Sequence, residues 1–405
     1  MNSKNKISTM YIAYDGVMQP LGISQVIAYI ELLSENFEVH LLSFEKKVDL
    51  KDKFKFNKIQ NRLQESNIHW HYLTYHKSPS ALATSYDLLV GFSLAFYLCI
   101  KNNIKLIHAR SYVSSVIAFF LKRLLSIKFL FDMRGFWPDE NLDSNAWKRK
   151  SRIYMMAKWF EKKFLLNADH IISLTNAGIK EINKFSYVDP NIINISKITT
   201  CTDLQKFSIN PDLRDLDFVL GYVGTVQSWY DFDSAILAFS ALIQIKPKAT
   251  FLIVNKGEHS FITSRLKYFK IPLSSIELLE AASEDLPALI NRMHAGVFFI
   301  RPTFSKLASA PTKLGEFLGC GVPCMTNAGV GDLQEILEPN QVGIILNDTN
   351  EKLISEGIKN LIIISEDEHS RDRARLVAED HFSLINGYHQ YRKIYKKLLN
   401  LENKI

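Results

Sequence analysis

Cysteine is scarce in this sequence of 405 residues, which contains only four. Cys320 and Cys324 have no second pair to complete a tetrahedral metal site, and Cys99 and Cys201 are isolated. Buried apolar residues in a reducing compartment are the ordinary use of such thiols. The sequence therefore predicts no disulfide framework and no metal site.

Long apolar runs are also missing. The N-terminal stretch MNSKNKISTMYIAYDG has no apolar segment of the signal-peptide kind. The longest apolar runs, residues 88–100 and 113–121, fall short of the roughly 20 residues that a membrane-spanning helix needs. We therefore expect a soluble protein of the cytoplasm.

Repeats and low-complexity tracts are absent as well, and the composition is that of a globular protein. Hydrophobic residues make up 47% and charged residues 22% of the chain. At this length one ordinary core is not enough, so two domains are expected. The net charge of +7 is compatible with an anionic ligand, an acidic membrane surface or nucleic acid, and it selects none of them.

Short β-rich runs alternate with longer helical patterns along the whole chain, as in parallel α/β sheets. The first series of strand candidates is 8–14, 39–44, 106–110, 129–135 and 170–175, and the second is 217–226, 249–257, 296–302, 322–328 and 342–348. His69 and His71 alternate along 68–72 as packing residues of a strand would, so we expect no catalytic role for them. The pattern predicts two doubly wound domains, residues 1–205 and 206–380, joined by a linker within 201–215. We expect ligands at the carboxyl ends of the strands, in a cleft between the domains.

Residues 381–405 have helical spacing. One face would carry Tyr388, Tyr391, Ile394, Tyr395 and Leu398. Such a stripe predicts a helix that packs back on the N-terminal domain.

The stretch SAPTKLGEFLGCGVPC (309–324) contains the strongest candidate site. Ser309, Pro311 and Thr312 are suitable residues for opening a helix, and Lys313 and Glu316 would then lie one turn apart on one face. A helix start with a lysine favours a diphosphate, and a nearby carboxylate suits a ribose diol. The alternative is an exposed helix with a Lys–Glu pair worth a few tenths of a kcal/mol, and spacing alone leaves both open.

The longer segment PTKLGEFLGCGVPCMTNAGVGDLQEIL resembles the nucleotide-sugar segment of GT-B glycosyltransferases, specifically the retaining family four. The matching positions are Glu316, then Gly321-Val322-Pro323, then Gly329-Val330-Gly331-Asp332. Residues 14–33, 106–111, 131–140 and 221–225 are similar to other parts of the same family. The resemblance implies the GT-B fold, two Rossmann-like domains facing across a cleft. It also implies that Gly224 and Thr225 contact the donor.

Two departures from the family pattern concern the donor sugar and diphosphate. Ala308 stands where many relatives have a glutamate that contacts the donor sugar, and the usual cations after Gly224-Thr225 are replaced by the sequence VQSWYDF. Lys313 fits a branch of the family that uses the lysine at the helix start instead. Lys306 and Arg301, on the preceding loop, are further candidates for the diphosphate.

In the first domain, Gly22 is predicted beneath the donor diphosphate, because glycine lets backbone N–H groups approach closely. Ser24 and Gln25 follow it as acceptor-binding candidates; the alternative is a plain turn leading into a helix. Arg110 and Arg134 each follow a strand, where they would hold a phosphate or an acidic acceptor. For Arg134, which we also predict as catalytic together with Lys313, the alternative is a structural ion pair with Asp132 or Asp139.

Residues 145–164 hold seven basic residues and one acidic residue between Lys148 and Lys163, with aromatic residues interleaved. This composition favours a membrane-surface helix or a merely solvated one. No recognised nucleic-acid motif accompanies it, so we expect no nucleic-acid partner.

Taken with the resemblance, these residues imply a retaining, metal-independent hexosyltransferase that needs no cofactor. It would move a sugar from a nucleoside-diphosphate sugar to a saccharide or lipid-linked hydroxyl in surface-polysaccharide assembly, at the inner face of the plasma membrane. Two alternatives stay open: a nucleotide-sugar epimerase of the same fold, and a non-catalytic nucleotide-sugar-binding subunit.

Overall fold

The structure is a computed structural model that describes residues 6–78 and 80–401. Two compact units divide the chain. The first comprises the residues up to Ile198 together with those from Leu384 onward, and the second comprises Thr199–Ser383. The units thus separate at 198/199 and 383/384, where the sequence pattern placed boundaries at 205/206 and 380/381.

A parallel sheet of seven strands forms the centre of the first unit, in the order β3-β2-β1-β4-β5-β6-β7. The strands are β1 (Ser8–Ala13), β2 (Glu38–Lys46), β3 (His69–Tyr75), β4 (Leu106–Arg110), β5 (Lys128–Asp132), β6 (His170–Ser173) and β7 (Ile195–Lys197). The inner strands are buried almost throughout, because helices cover both faces of a parallel sheet. The strand order reverses between β1 and β4, and α/β sheets commonly bind ligands at the carboxyl ends of the strands beside such a point.

The helices of this unit connect its strands. They are α1 (Pro20–Gly22), α2 (Ala28–Ser34), α3 (Lys47–Lys51), α4 (Lys53–Glu65), α5 (Ser80–Lys101), α6 (Ser111–Leu125), α7 (Trp137–Asp143), α8 (Arg152–Asn167) and α9 (Asn176–Ile182). A π-helical segment, Ile23–Ile27, continues α1 into α2. Helix α8 begins where the hydroxyl of Ser151 accepts a hydrogen bond from the Tyr154 amide, so only part of the predicted segment 145–164 is helical.

The second unit has a parallel sheet of six strands in the order β10-β9-β8-β11-β12-β13. These strands are β8 (Val219–Val223), β9 (Thr250–Val254), β10 (Ile276–Leu279), β11 (Ala295–Val297), β12 (Cys324–Asn327) and β13 (Gly343–Leu346). The helices around them are α10 (Phe232–Ile245), α11 (His259–Tyr268), α12 (Leu286–Arg292), α13 (Thr312–Gly319), α14 (Leu333–Leu337), α15 (Glu351–Glu366) and α16 (Ser370–Phe382). The predicted pair of doubly wound α/β units is confirmed.

Residues 201–215, predicted as a linker, are packed into the second unit. Leu204 and Phe207 are buried in its hydrophobic core. The guanidinium of Arg375, on α16, donates hydrogen bonds to the backbone carbonyls of both residues. The polar composition of the segment concealed these two apolar anchors.

The last helix, α17 (Leu384–Leu398), packs on the first unit as predicted. Tyr391 contacts Tyr29 of α2 edge to face, with ring centres 5.2 Å apart, and Tyr395 packs on Phe37 at the same separation. All five residues of the predicted apolar face are buried. Helix α17 therefore completes the core of the first unit.

Helix α5 extends well beyond the apolar run 88–100 that was identified in the sequence. Within it, Leu82–Lys101 is long and apolar enough to cross a membrane by length and composition, and a third of that window is buried. The expectation that no segment reaches this length was wrong, because Asp87 does not interrupt the helix: it is buried and accepts a hydrogen bond from the Tyr14 hydroxyl. Gly91 also lies so close to the Phe44 ring that a Cβ there would come within 2.5 Å. These contacts make α5 a helix of the first unit.

Candidate functional site

Lys313 lies in the first turn of α13, at the carboxyl edge of the six-stranded sheet. Helix α13 follows Pro311, whose extended backbone lets the helix begin at Thr312. The Lys313 side chain is buried, and its Nζ has no hydrogen-bond partner within the described part of the chain. An ammonium group in this state is a cation held ready for an anion.

Aromatic rings surround this ammonium group. Its Nζ lies 3.8 Å from the centre of the Tyr230 ring, 4.9 Å from that of Tyr222 and 5.7 Å from that of Phe298. Ring faces attract a cation without neutralising it. Burial lowers the pKa of Lys313 to about 7, and the carboxylate of Glu316 opposes this shift. Burial in turn raises the pKa of Glu316, and Lys313 opposes that shift.

The turn after β8 brings its backbone close to the lysine. Gly224 has a φ of +101°, and a Cβ at this position would lie 3.3 Å from the Lys313 Nζ. The side-chain amide of Asn255 donates a hydrogen bond to the Gly224 carbonyl, and Glu258 accepts one from the Val226 amide. A glycine is therefore favoured here by the backbone conformation, and any side chain would also have to displace the end of Lys313 slightly.

Two lysines are matched with two consecutive aromatic residues. The Asp231 amide donates to the Phe299 carbonyl, and this pairing holds the end of the turn against the strand extension after β11. Trp229 then lies over Lys306, whose Nζ is 3.7 Å from the ring centre, just as Tyr230 lies over Lys313. The structure thus brings Gly224 beside Lys313. Lys306 and Lys313 both contact aromatic residues of the turn that follows β8.

The other predicted donor residues of the second unit lie in the turn after β8 and around the start of α13. Thr225 is exposed, while Ser309 and Thr312 are half-buried at the start of α13. Ala308, where many relatives have a glutamate, is buried at the end of a 3₁₀ turn. Sequence reasoning missed Tyr230, although the aromatic pair Trp229-Tyr230, three residues beyond Gly224-Thr225, was a usable signal.

In the first unit a cavity of about 390 Å³ lies at the carboxyl ends of β1 and β4. Gly22 and Arg110, both predicted site residues, line it. A Cβ at Gly22 would come within 2.6 Å of the Val17 Cα, so only glycine fits. The guanidinium of Arg110 lies 3.3 Å from the carboxylate of Asp15, which also lines the cavity.

Glu45, which sequence reasoning missed, holds the loop beside this cavity. Its buried carboxylate accepts hydrogen bonds from the backbone amides of Val17 and Met18, at 2.9 and 3.3 Å. A glutamate closing the long apolar run of β2 was the signal available in the sequence. The loop is therefore fixed in place by a strand residue.

Gln25 and Arg134, both predicted acceptor-binding residues, contact each other in the first unit. Gln25 is 2% exposed, and its amide oxygen accepts a hydrogen bond of 3.4 Å from Arg134. The π-helical segment Ile23–Ile27 thus holds Gln25 inside the first unit, and its acceptor-binding role stays a prediction. Ser24, its neighbour, is exposed.

Arg134 forms an ion pair with Asp132 at 3.9 Å, one of the two structural pairings weighed for it. Asp139, the other candidate, pairs with Lys158 instead. Burial alone would raise the pKa of Asp132, but Arg134 and then His108 lower it overall. Arg134 also has a left-handed φ of +59°, a strained conformation that is concentrated at functional sites. Its catalytic and acceptor-binding roles stay predictions.

Comparison with known proteins places this geometry in context. Residues 205–376 match the family described as glycosyl transferases group 1. This range contains the turn after β8, the segment that carries Lys306, and α13. No curated protein matches the chain in sequence.

Solved structures of similar fold cover nearly the whole chain. Sucrose-phosphate synthase from Thermosynechococcus elongatus is 15% identical, with a TM-score of 0.74, over 98% of this chain and 100% of that one. A glycosyltransferase from Rickettsia africae is 15% identical, with a TM-score of 0.70, over 99% and 100%. HepE from Anabaena, solved with UDP and glucose, is 13% identical, with a TM-score of 0.70, over 97% and 100%. These similarities show that both units together have the GT-B fold.

Proposed function

We propose that this chain, which has the GT-B fold and matches glycosyl transferases group 1 over residues 205–376, moves a sugar from a nucleoside-diphosphate sugar to an acceptor hydroxyl with retained configuration. The observation that carries the donor assignment is the buried, unpartnered ammonium group of Lys313 at the start of α13. A diphosphate is the anion that this cation, the α13 amides and the open turn at Gly224 suit best. The binding of UDP and of UDP-glucose by HepE supports the same class of donor.

The chemical demand on the protein is the charge that develops on the departing diphosphate. As the bond from the anomeric carbon to the phosphate oxygen breaks, Lys313 and the helix amides stabilise that oxygen. The acceptor oxygen bonds to the anomeric carbon on the same face, and its proton passes to the leaving phosphate. This route needs no nucleophilic side chain, metal ion or cofactor. Glu316, three residues after Lys313, would accept hydrogen bonds from the ribose diol.

The acceptor side of the proposal rests on the cavity in the first unit. Arg110 lines it at the carboxyl ends of the strands, where α/β sheets bind ligands, and Gly22, which is predicted beneath the donor diphosphate, lines the same cavity. A saccharide or lipid-linked saccharide with an anionic group would match Arg110. The transfer would then take place in the cytoplasm, at the inner face of the plasma membrane.

An exposed apolar surface of the first unit supports the lipid-linked acceptor. Helices α5, α6 and α8 are neighbours in the first unit and carry a series of exposed apolar side chains. These are Leu82, Tyr86, Leu89, Tyr97 and Ile100 on α5, Phe120 and Leu124 on α6, and Met155, Met156, Trp159 and Leu166 on α8. The α5 residues form one helical stripe, on which Lys101 is the first exposed charge. We call the exposed apolar side chains of these three helices the apolar surface.

Cations accompany the apolar surface. Arg152 and Lys162 are exposed on α8, and the Lys163 Nζ lies 5.3 Å from the centre of the Trp159 ring. Apolar and aromatic side chains with flanking cations fit the boundary of an anionic lipid bilayer. We therefore extend the predicted membrane contact at 145–164 to α5 and α6.

A donor panel tests the proposed function directly. UDP, GDP, ADP and their sugars are added to the full-length protein, and one nucleotide class is expected to raise the Tm by mass action. The sugar form of that nucleotide is then incubated with saccharide and lipid-linked acceptors, and the products are analysed. A glycosylated acceptor of unchanged anomeric configuration supports the proposal. Binding without turnover would favour the subunit without activity, and an isomerised sugar nucleotide would favour the epimerase.

A further inference from the structure

A cluster of histidines lies at the amino edge of the seven-stranded sheet. His40 on β2 and His69 on β3 occupy paired positions in the parallel register. Glu38 is two residues before His40, so its side chain leaves the same face of β2. The cluster is thus formed by adjacent strands at the opposite edge from the acceptor cavity.

The possible ligand atoms of these three side chains converge. One from each residue lies within 4.8 Å of the others. Glu38 Oε1 lies 3.4 Å from His69 Nε2 and 3.9 Å from His40 Nε2. Around a tetrahedral zinc ion with bonds near 2.0–2.1 Å, neighbouring ligand atoms are about 3.4 Å apart. The His40 and His69 rings are stacked with centres 4.6 Å apart, so binding of one ion by all three atoms requires the exposed His69 ring to rotate and the Glu38 carboxylate to follow it.

The Nε2 atom of His40 gives independent support. His40 is 3% exposed, and its Nε2 has no hydrogen-bond partner in the residues that the structure describes. Its other ring nitrogen, Nδ1, lies 3.3 Å from His71 Nε2. In the tautomer whose Nδ1–H donates to His71, the Nε2 lone pair is bare and directed toward Glu38. A buried polar atom without a partner is costly, and a metal ion would satisfy it.

Neighbouring residues orient the ligands in the manner of metal sites. The hydroxyl of Ser8 on β1 donates to Glu38 Oε2, which leaves Oε1 for an ion. His71 plays the same part for His40. Such outer partners fix the ring orientation and tautomer of metal ligands.

We propose that Glu38, His40 and His69 bind a divalent transition-metal ion, zinc foremost, with a fourth position open to water. Two imidazoles and one carboxylate are ligands that zinc accepts readily. Because β3 is the edge strand of its sheet, the ion would clamp this strand to β2. The site is independent of the proposed sugar transfer, which uses none of its residues.

Zinc binding to the full-length protein tests the site. After dialysis against EDTA, the protein is titrated with zinc chloride in competition with a chromophoric chelator, and cobalt(II) is added separately to report nitrogen and oxygen ligands by its visible absorption. We expect one ion per chain. Glu38→Gln and His69→Ala should each weaken zinc binding by at least about tenfold, and His71→Ala by about tenfold through the lost orientation of His40.

The choice of variants allows the loss of a metal-binding side chain to be distinguished from unfolding of the first unit. The side chains of Glu38 and His69 are 42% and 53% exposed, so their replacement should leave the first unit folded, which circular dichroism checks. His369→Ala is the control, because His369 lies 3.3 Å from Glu368 but no third metal-ligating side chain joins them among the residues that the structure describes. Zinc affinity equal to that of the wild type in Glu38→Gln and His69→Ala, or substoichiometric binding by the wild type, would overturn the assignment. The nucleotide-induced rise in Tm should persist in Glu38→Gln.

Discussion

The Lys313 ammonium group lies 3.8 Å from the centre of the Tyr230 ring and is buried without a hydrogen-bond acceptor among the described residues. The ring stabilises the charge through its electron-rich face but cannot accept the proton. Lys313 therefore remains able to bind an anion strongly. The next three predictions follow from this arrangement.

Replacing Lys313 should abolish most of the affinity for the donor diphosphate. Lys313→Met keeps the length and packing of the side chain and removes the charge. We expect UDP, or whichever nucleotide the panel selects, to bind about 10- to 100-fold more weakly, as for a lost charge-assisted hydrogen bond. Isothermal titration calorimetry measures this, with Lys359→Met on the exposed face of α15 as the control. Equal losses in both variants would contradict the role of Lys313.

Nucleotide binding should take up a proton above neutral pH. Burial lowers the pKa of Lys313 to about 7, so the ligand-free protein is mostly uncharged there at pH 8. The bound diphosphate favours the charged form, so affinity should fall as the pH rises from 7 to 9. Calorimetry in buffers of different ionisation enthalpy measures the uptake, which should vanish in Lys313→Met.

The same pKa shift predicts a slope in stability. Between the folded pKa of about 7 and the ordinary value of 10.5, the unfolded chain binds more protons at Lys313 than the folded chain does. The contribution of this group to the free energy of unfolding therefore rises with pH in that window and is lowest below pH 7. Urea denaturation at pH 7 and pH 9 should show a smaller rise in Lys313→Met than in the wild type.

Glu316 should distinguish ribose from deoxyribose. If its carboxylate accepts hydrogen bonds from the diol, the wild type should bind UDP about tenfold more tightly than 2′-deoxy-UDP. In Glu316→Ala this difference should disappear, while the loss caused by Lys313→Met should persist in both nucleotides. A preference for UDP that survives in Glu316→Ala would place the ribose elsewhere.

Arg134 should matter for stability whatever its part in catalysis. Arg134→Ala leaves the buried carboxylate of Asp132 without its strongest countercharge. We expect a loss of about 3–5 kcal/mol in the free energy of unfolding, as for a broken buried ion pair. Adding Asp132→Asn should recover part of it, which urea denaturation measures. No recovery would show that the guanidinium acts chiefly through other contacts.

The apolar surface should bind anionic vesicles. The full-length protein is expected to sediment with vesicles of phosphatidylglycerol and phosphatidylethanolamine and much less with phosphatidylcholine. Trp159→Glu combined with Leu89→Glu should weaken this binding by roughly tenfold or more. Ile363→Glu, which changes an exposed residue of α15 in the second unit, is the control. A dimer in solution that Leu89→Glu dissociates would show that a second copy covers α5 instead.

The sequence predicted the central strands well and the edge strands poorly. All ten strand candidates correspond to strands of the two sheets, whereas β7 and β10 were not among them and β3 was indicated only by the alternation of His69 and His71. All three lie at sheet edges and are only partly buried. An edge strand does not need the continuous apolar run by which an inner parallel strand is found.

The candidate site was predictable as far as local pattern determines it. The start of α13 and the positions of Lys313 and Glu316 follow from residue types within one turn of helix. The contact of Lys306 with Trp229 and the burial of Gln25 depend on how distant loops are folded. Such contacts are set by tertiary packing, which no short window of sequence contains.

The place of α17 in the first unit has a consequence for how the chain matures. This unit is made of the earliest residues and the last helix, with all of Thr199–Ser383 between them. During synthesis the nascent N-terminal portion must therefore wait, with Tyr29 and Phe37 lacking their aromatic partners, until the ribosome has translated the second unit. Premature termination just before Leu384 would yield an intact second unit attached to an unfinished first one, a natural substrate for chaperones and proteases.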